Sequence, residues 1–229
     1  MTPAGSLLVA EGLYKAYGPT PALDGADFSL HPGEVVAVMG PSGSGKSTLP
    51  HCLAGITTPD AGTVRYAGHT LTAMTDTQRS ALRRTDFGFV FQFGQLVPEL
   101  TALENVALPL RLNGTPRKKA EHQAHTWLEH LDVHTTATQR PDELSGGQTQ
   151  RIAVARALAT QPKVIFADEP TGALDSLNGE RVLTLLTDAA RTTHTAVILV
   201  THEPRTAAYS DREIIVRDGR VKDTSAGWV

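Results

Sequence analysis

The sequence predicts an α/β protein with a mainly parallel sheet core, a small antiparallel β piece near the N-terminus and an inserted helical segment. Three observations predict it. Short β-branched runs bounded by turn signals recur toward both ends of the chain, as buried strands do. The middle carries longer segments with helix start and stop signals. A glycine-rich loop beginning at Gly40 follows one of the strands directly and precedes a helix.

The expected elements run in this order. Residues 7–66 carry strands that form the small antiparallel piece. Core strands are expected at 34–39 (EVVAVM), 87–91 (FGFVF), 164–167 (VIFA), 196–200 (AVILV) and 213–216 (EIIV), with Asp218-Gly219 as a hairpin turn before the last strand. Helices are expected at 101–113, 116–131 and 147–159, punctuated by Asn113-Gly114, Pro116 and Pro141. The whole chain, 1–229, then reads as one domain, with a core of 1–92 and 160–229 and a helical insert over about 93–160.

Composition narrows the class of function without naming it. Apolar residues make up 40% and charged residues 20% of 229, enough for a sizeable core. Lys plus Arg is 21 against 24 Asp plus Glu, a net charge of −3, which argues against nucleic acid as a partner. A single cysteine, Cys52, rules out an intrachain disulfide framework. The longest apolar runs fall far short of the roughly 20 residues of a membrane helix, and no basic, apolar leader opens the chain. A cytoplasmic protein is the expectation.

Gly40, Pro41, Ser42, Gly43, Ser44, Gly45, Lys46 and Ser47 fit G-x-x-x-x-G-K-[ST] in the strand–loop–helix context that the pattern requires. Glycines let successive backbone N–H groups turn inward around phosphate oxygens, and the helix N-terminus adds its dipole. Lys46 brings a point charge to the β- and γ-phosphates, and Ser47 a hydroxyl to Mg²⁺. Alone, the loop means only a nucleoside triphosphate. Pro50 is an awkward residue about one turn into the following helix, where it removes a backbone donor and is expected to distort the first turn.

Open α/β sheets bind ligands beyond the carboxyl ends of their strands. Each expected core strand end but the last offers a suitable group there: the phosphate loop after EVVAVM, Gln92 after FGFVF, Asp168 and Glu169 after VIFA, and His202 after AVILVT. Alternation along a strand would turn Asp168 toward Mg²⁺ and Glu169 toward an attacking water. Gln92 can touch Mg²⁺ or orient water, and His202 can donate to the γ-phosphate. Singly, each has an ordinary explanation as a turn, a core histidine or a strand-end amide. The coincidence favours a site.

Leu144-Ser145-Gly146-Gly147-Gln148 opens the third helix, a second anion-binding helix start or simply a capped one. With 151–158 (RIAVARAL) and 91–110 (FQFGQLVPELTALENVALPL), it makes the chain resemble the ATP-binding subunits of ATP-binding-cassette transporters. The likeness is greatest to the branch that includes lipoprotein-release, macrolide-export and cell-division ATPases. The resemblance implies a P-loop NTPase (RecA-like) core, binding of ATP with Mg²⁺, and ATPase activity.

Residue by residue, the resemblance puts Tyr17 against adenine, makes Gly40 to Ser47 the Walker A loop, and adds Thr48 as a further phosphate contact. It makes Gln92 the Q-loop glutamine, and Ser145, Gly146, Gly147 and Gln148 the signature. Asp168 ends Walker B, Glu169 is the general base, Asp175 belongs to the D-loop, and His202 is the switch histidine. It further implies a homodimer in which one copy's signature closes over ATP held by the other. A separate membrane permease would dock on 92–97 and the helical insert, holding the chain at the inner face of the cell membrane. The implied function is export or extraction of an antibiotic, peptide or lipid-like substrate. The alternative is a mechanical ATPase that moves a membrane partner without transport. A DNA-maintenance ATPase would need a long coiled-coil insert, and a kinase would not carry LSGGQ with His202. Pro50 and Thr149 depart from the family pattern.

Overall fold

The computed structural model describes residues 5–223. In chain order the elements are β1 (Leu8–Tyr17), β2 (Thr20–Leu30), β3 (Val35–Met39), α1 (Thr48–Leu53), β4 (Ala61–Tyr66), β5 (His69–Thr70), α2 (Asp76–Thr85), β6 (Phe87–Phe91), α3 (Ala102–Leu112), α4 (Arg117–His130), α5 (Gly146–Leu158), β7 (Val164–Asp168), α6 (Ser176–Thr193), β8 (Ala196–Val200), α7 (Pro204–Ala207), β9 (Arg212–Arg217) and β10 (Arg220–Asp223). The chain packs as two compact units. One runs to Ala81 and resumes at Ala196; the other is Leu82–Thr195.

The first unit holds the antiparallel sheet β2-β1-β4-β5, the small piece expected from residues 7–66. It also holds the row β10-β9-β3-β8, in which β3 pairs in parallel with both β8 and β9. Val35, Val36, Ala37 and Val38 are wholly buried, as a strand between two parallel neighbours must be. Asp218 and Gly219 take φ of 51° and 75° and join β9 to β10 in antiparallel register. This is the two-residue hairpin turn whose twist matches that of its strands.

The second unit pairs β6 with β7 in parallel, from Phe87↔Val164 to Phe91↔Asp168. Helices α3, α4 and α5 pack on one another, and α5 packs on β6 and α6. Ile152, Val154 and Leu158 of α5 are fully buried, with Leu128 of α4 and Val106 of α3. The start of α3 is fixed by a capping box, Thr101 accepting from the Glu104 N–H while Glu104 accepts from the Thr101 N–H. These bonds hold the Glu104 carboxyl below the usual range. The three helices expected in the insert are present within one or two residues.

The sequence pattern does not announce helix α6. Its threonines and Gly179 weaken the local helical signal, yet Asp175 caps it and Val182, Leu183, Leu186 and Ala190 form its buried stripe. Among the described residues, no helix is long and apolar enough to cross a membrane.

Candidate functional site

In the first unit, the loop after β3 is built so that only glycine fits at two points. A β-carbon on Gly40 would lie 2.2 Å from the Val216 carbonyl oxygen, and one on Gly45 would lie 2.0 Å from the Ala22 carbonyl oxygen. Gly40, Gly43 and Gly45 have φ of 153°, 78° and 99°, conformations that side chains disfavour. Pro41 and Ser42 are exposed at the rim, while Ser44 is buried. The Ser44 carbonyl accepts from Gly219 N–H at 3.0 Å, and the Gly219 carbonyl accepts from Asp24 N–H at 2.9 Å. The β9–β10 turn therefore ties this loop to β2.

Lys46 Nζ donates to the Pro41 carbonyl at 3.3 Å, so its amine folds back over the loop. The Ser44 hydroxyl is buried with no hydrogen-bond partner, and Ser47 stands at the N-cap of α1 without using its hydroxyl as a cap. An orphaned buried hydroxyl, an uncommitted serine and a cradle that β-carbons would fill fit a phosphate chain. The Ser47 hydroxyl is a hard oxygen donor, the type that suits Mg²⁺. Thr48 begins α1.

Pro50 is buried in α1 and leaves the Lys46 carbonyl without its i+4 donor. The next bond, His51 N–H to Ser47, is stretched to 3.4 Å, the local distortion expected of this turn. Cys52 is buried beside it, and burial pushes its thiol up to about 11.

Tyr17 ends β1, 54% exposed, with Lys15 Nζ 5.7 Å from its ring centre. The Thr201 N–H donates to the Val38 carbonyl at 3.1 Å, extending the β3–β8 ladder by one residue. Exposed His202 thus leaves the sheet at the same edge as Gly40.

In the second unit, the register of β6 with β7 sends Gln92 and Glu169 off the sheet from paired neighbours, Phe91 and Asp168. A β-carbon on Gly172 would lie 2.7 Å from Gln92 Nε2, so the glutamine side chain rests on the turn that follows Glu169. Strand alternation does not set the two acids on opposite faces, because Glu169 lies beyond the end of β7. Asp168 is the last residue of β7, and Glu169 has φ of 47°. A left-handed turn, not strand alternation, separates the carboxylates, at a strain of roughly 1–3 kcal/mol.

The signature begins α5. The Ser145 hydroxyl accepts from Gln148 N–H at 3.3 Å, and Gln148 Oε1 accepts from Ser145 N–H at 2.8 Å. Both side chains are thus committed to the cap, which leaves Gly146 and Gly147 as the smooth part of the turn. Gly147 abuts Asn178 and Gly146 abuts Leu174. Asp175 caps α6 by accepting from Asn178 N–H at 2.9 Å and Nδ2 at 2.7 Å, bonds that hold its carboxyl below the usual range. Gly147 and Asp175 therefore share Asn178 as a neighbour.

Several side chains that belong to no motif hold the segment after Gln92. Asn105 is fully buried, accepts from Val97 N–H at 2.7 Å and donates to the carbonyls of Val97, Leu100 and Thr101 at 3.1 Å each. Gln150 Nε2 donates to the Phe91 carbonyl at 2.9 Å. A polar residue on the buried face of a helix is the one signal that marks both. Phe93 is 69% exposed and not part of a core. His122, His125, His130 and His134 are exposed, and no three metal-binding side chains cluster among the described residues.

The parallel strand pairings and the glycine-built loop between β3 and α1 define the fold of a P-loop NTPase. A family model described as ABC transporter matches residues 23–172, and the chain belongs to that family. It is an ATP-binding, ATP-hydrolysing subunit. The chain is similar to the lipoprotein-releasing system ATP-binding protein LolD of Cytophaga hutchinsonii, with 43% identity over 213 residues, covering 93% of this chain and 97% of that one. The LolD of Hydrogenovibrio crunogenus is 44% identical over 217 residues, covering 93% and 94%. Among solved structures, the dimeric post-hydrolysis cassette MJ0796 bound to ADP and Pi superposes with a TM-score of 0.86 at 35% identity, covering 96% of this chain and all of that one.

Proposed function

We propose that this chain powers the extraction of a lipid-bearing protein from a membrane, as one ATPase subunit of a complex with a separate permease. The observation that carries the ATPase chemistry is the glycine-built phosphate loop, with Lys46 folded over it and the Ser44 hydroxyl buried and unpaired. The LolD relatives support the substrate class, and the dimeric cassette supports action as a homodimer.

In this reading Tyr17 stacks on adenine. Residues 40–48 hold the phosphates, with Lys46 offsetting charge on the transferred group. Ser47, Gln92 and Asp168 hold Mg²⁺, which when bound neutralises developing phosphate charge. Glu169 takes the proton of the attacking water, and His202 donates to the γ-phosphate. Ser145, Gly146, Gly147, Gln148 and Asp175 of one copy close over nucleotide held by the second. The chain works as a single ATP-binding domain at the inner face of the membrane, docked through the region around exposed Phe93. Closure does work only because ATP binds the closed dimer better than the open one.

Glu169→Gln tests the chemistry. It should bind ATP, lose about 10²–10⁴-fold in turnover and accumulate as an ATP-bound dimer in size-exclusion chromatography. Turnover near the parent's would remove Glu169 from this role. Co-purification with the cognate permease and a lipoprotein-release assay in proteoliposomes test the substrate. ATP hydrolysis that drives no release would favour the mechanical alternative.

A further inference from the structure

Helix α5 grips the end of β6 and the loop that follows it at three carbonyls. Gln150 holds Phe91, one residue before Gln92. Arg156 Nη2 donates to the Gly94 carbonyl and Nη1 to the Gln95 carbonyl, each at 2.8 Å. The loop is shaped to offer these acceptors. Gly94 and Gln95 have φ of 68° and 47°, a left-handed pair that an L-residue such as Gln95 adopts only at a penalty. Gly94 is pressed against the helix, where a β-carbon would meet the Thr149 methyl at 2.9 Å.

Arg156 is half-buried, and its guanidinium faces carbonyl dipoles rather than a carboxylate. Burial lowers its pKa accordingly. A partly desolvated cation retained without an acidic partner is poorly explained by stability alone. Helix α5 is itself seated hard on β6, since a β-carbon on Gly88 would lie 2.6 Å from the Ala157 carbonyl. The helix that opens with Ser145 and Gly146 is therefore packed on and hydrogen-bonded directly to the root of the Gln92 loop.

We propose that Arg156 is a positioning residue for ATP hydrolysis: its two-pronged grip on Gly94 and Gln95 fixes the loop that carries Gln92 and couples it to the signature turn. This rests on the role given to Gln92 above. The planar guanidinium presents its donors to both carbonyls as a pre-organised fork, whereas a lysine would bring a flexible, strongly hydrated point charge.

The test uses the full chain, with Arg156→Met, Arg156→Lys and Gln150→Met read beside Gln92→Ala. Arg156→Met should lower kcat at least tenfold with KM for ATP within twofold, and should speed hydrogen exchange at amides 92–96. Arg156→Lys should fall between Met and the parent. Adding Arg156→Met to Gln92→Ala should slow hydrolysis no further, because both act through one group. Should Arg156→Met fail to fold, Gln150→Met is read in the same way. Unchanged exchange at 92–96, or a kcat loss that multiplies fully with that of Gln92→Ala, overturns the proposal. If Gln92→Ala hydrolyses ATP like the parent while Arg156→Met still loosens the loop, the grip stands and the role of Gln92 falls.

Discussion

The Gln92 side chain lies across Gly172, its Nε2 only 2.7 Å from where a β-carbon on that glycine would be. Two residues eighty positions apart in sequence are brought together by the β6–β7 register. The glycine leaves room for the amide beside the turn that carries Glu169, whose carbonyl accepts from Gly172 N–H at 3.1 Å.

Gly172→Ala should displace the Gln92 amide by a fraction of an ångström while leaving the phosphate loop untouched. Catalytic geometry is sensitive at this scale, with about 10²-fold lost per ångström of misplacement. We expect kcat to fall roughly tenfold with nucleotide affinity retained, measured by steady-state hydrolysis and by titration with a fluorescent ATP analogue. Parental kcat would show that the contact has no part in catalysis.

Gly45→Ala sets a β-carbon 2.0 Å from the Ala22 carbonyl, at a backbone φ of 99°. Neither backbone can yield without unseating the loop, so ATP binding should be lost in calorimetry. Gly43→Ala meets no atom within 4 Å and strains only its φ of 78°. It should retain more binding than Gly45→Ala; the reverse order would contradict the packing argument.

Pro50→Leu restores an N–H that can donate to the Lys46 carbonyl and relax the stretched 3.4 Å bond from His51. A hydrogen bond of this kind contributes about 1 kcal/mol net. Thermal unfolding of the nucleotide-free protein should move upward by a few degrees. An equal or lower midpoint would mean that the turn has already adapted to proline.

Cys52 supplies a pH dependence. Its thiol is raised from 9.0 to about 11 by burial, the nearby charge of Lys15 opposing the shift. The folded state thus holds the thiol proton more tightly than the unfolded state does. Its contribution to stability is complete below pH 9 and is lost as pH rises toward 11. Cys52→Ala should flatten the fall in denaturation midpoint across this window. At pH 8 the parent's thiol should react with Ellman's reagent only after unfolding.

Local motifs are readable in the unfolded string of residues. Phosphate binding needs contiguous backbone turns, so Gly40 to Ser47 are legible as a string, and Ser145 to Gln148 announce a helix start. Parallel strands buried on both faces are nearly continuous apolar runs, which made β3, β6, β7 and β8 visible. Tertiary structure alone decided what these segments touch. The left-handed turn at Glu169, the seat of Gln92 on Gly172, the grip of Arg156 on the Gln92 loop and the sharing of Asn178 between Gly147 and Asp175 join residues by packing across strand and helix. Such contacts have no period and no local motif. They exist because side-chain volumes and carbonyl directions meet only once the chain has closed on itself.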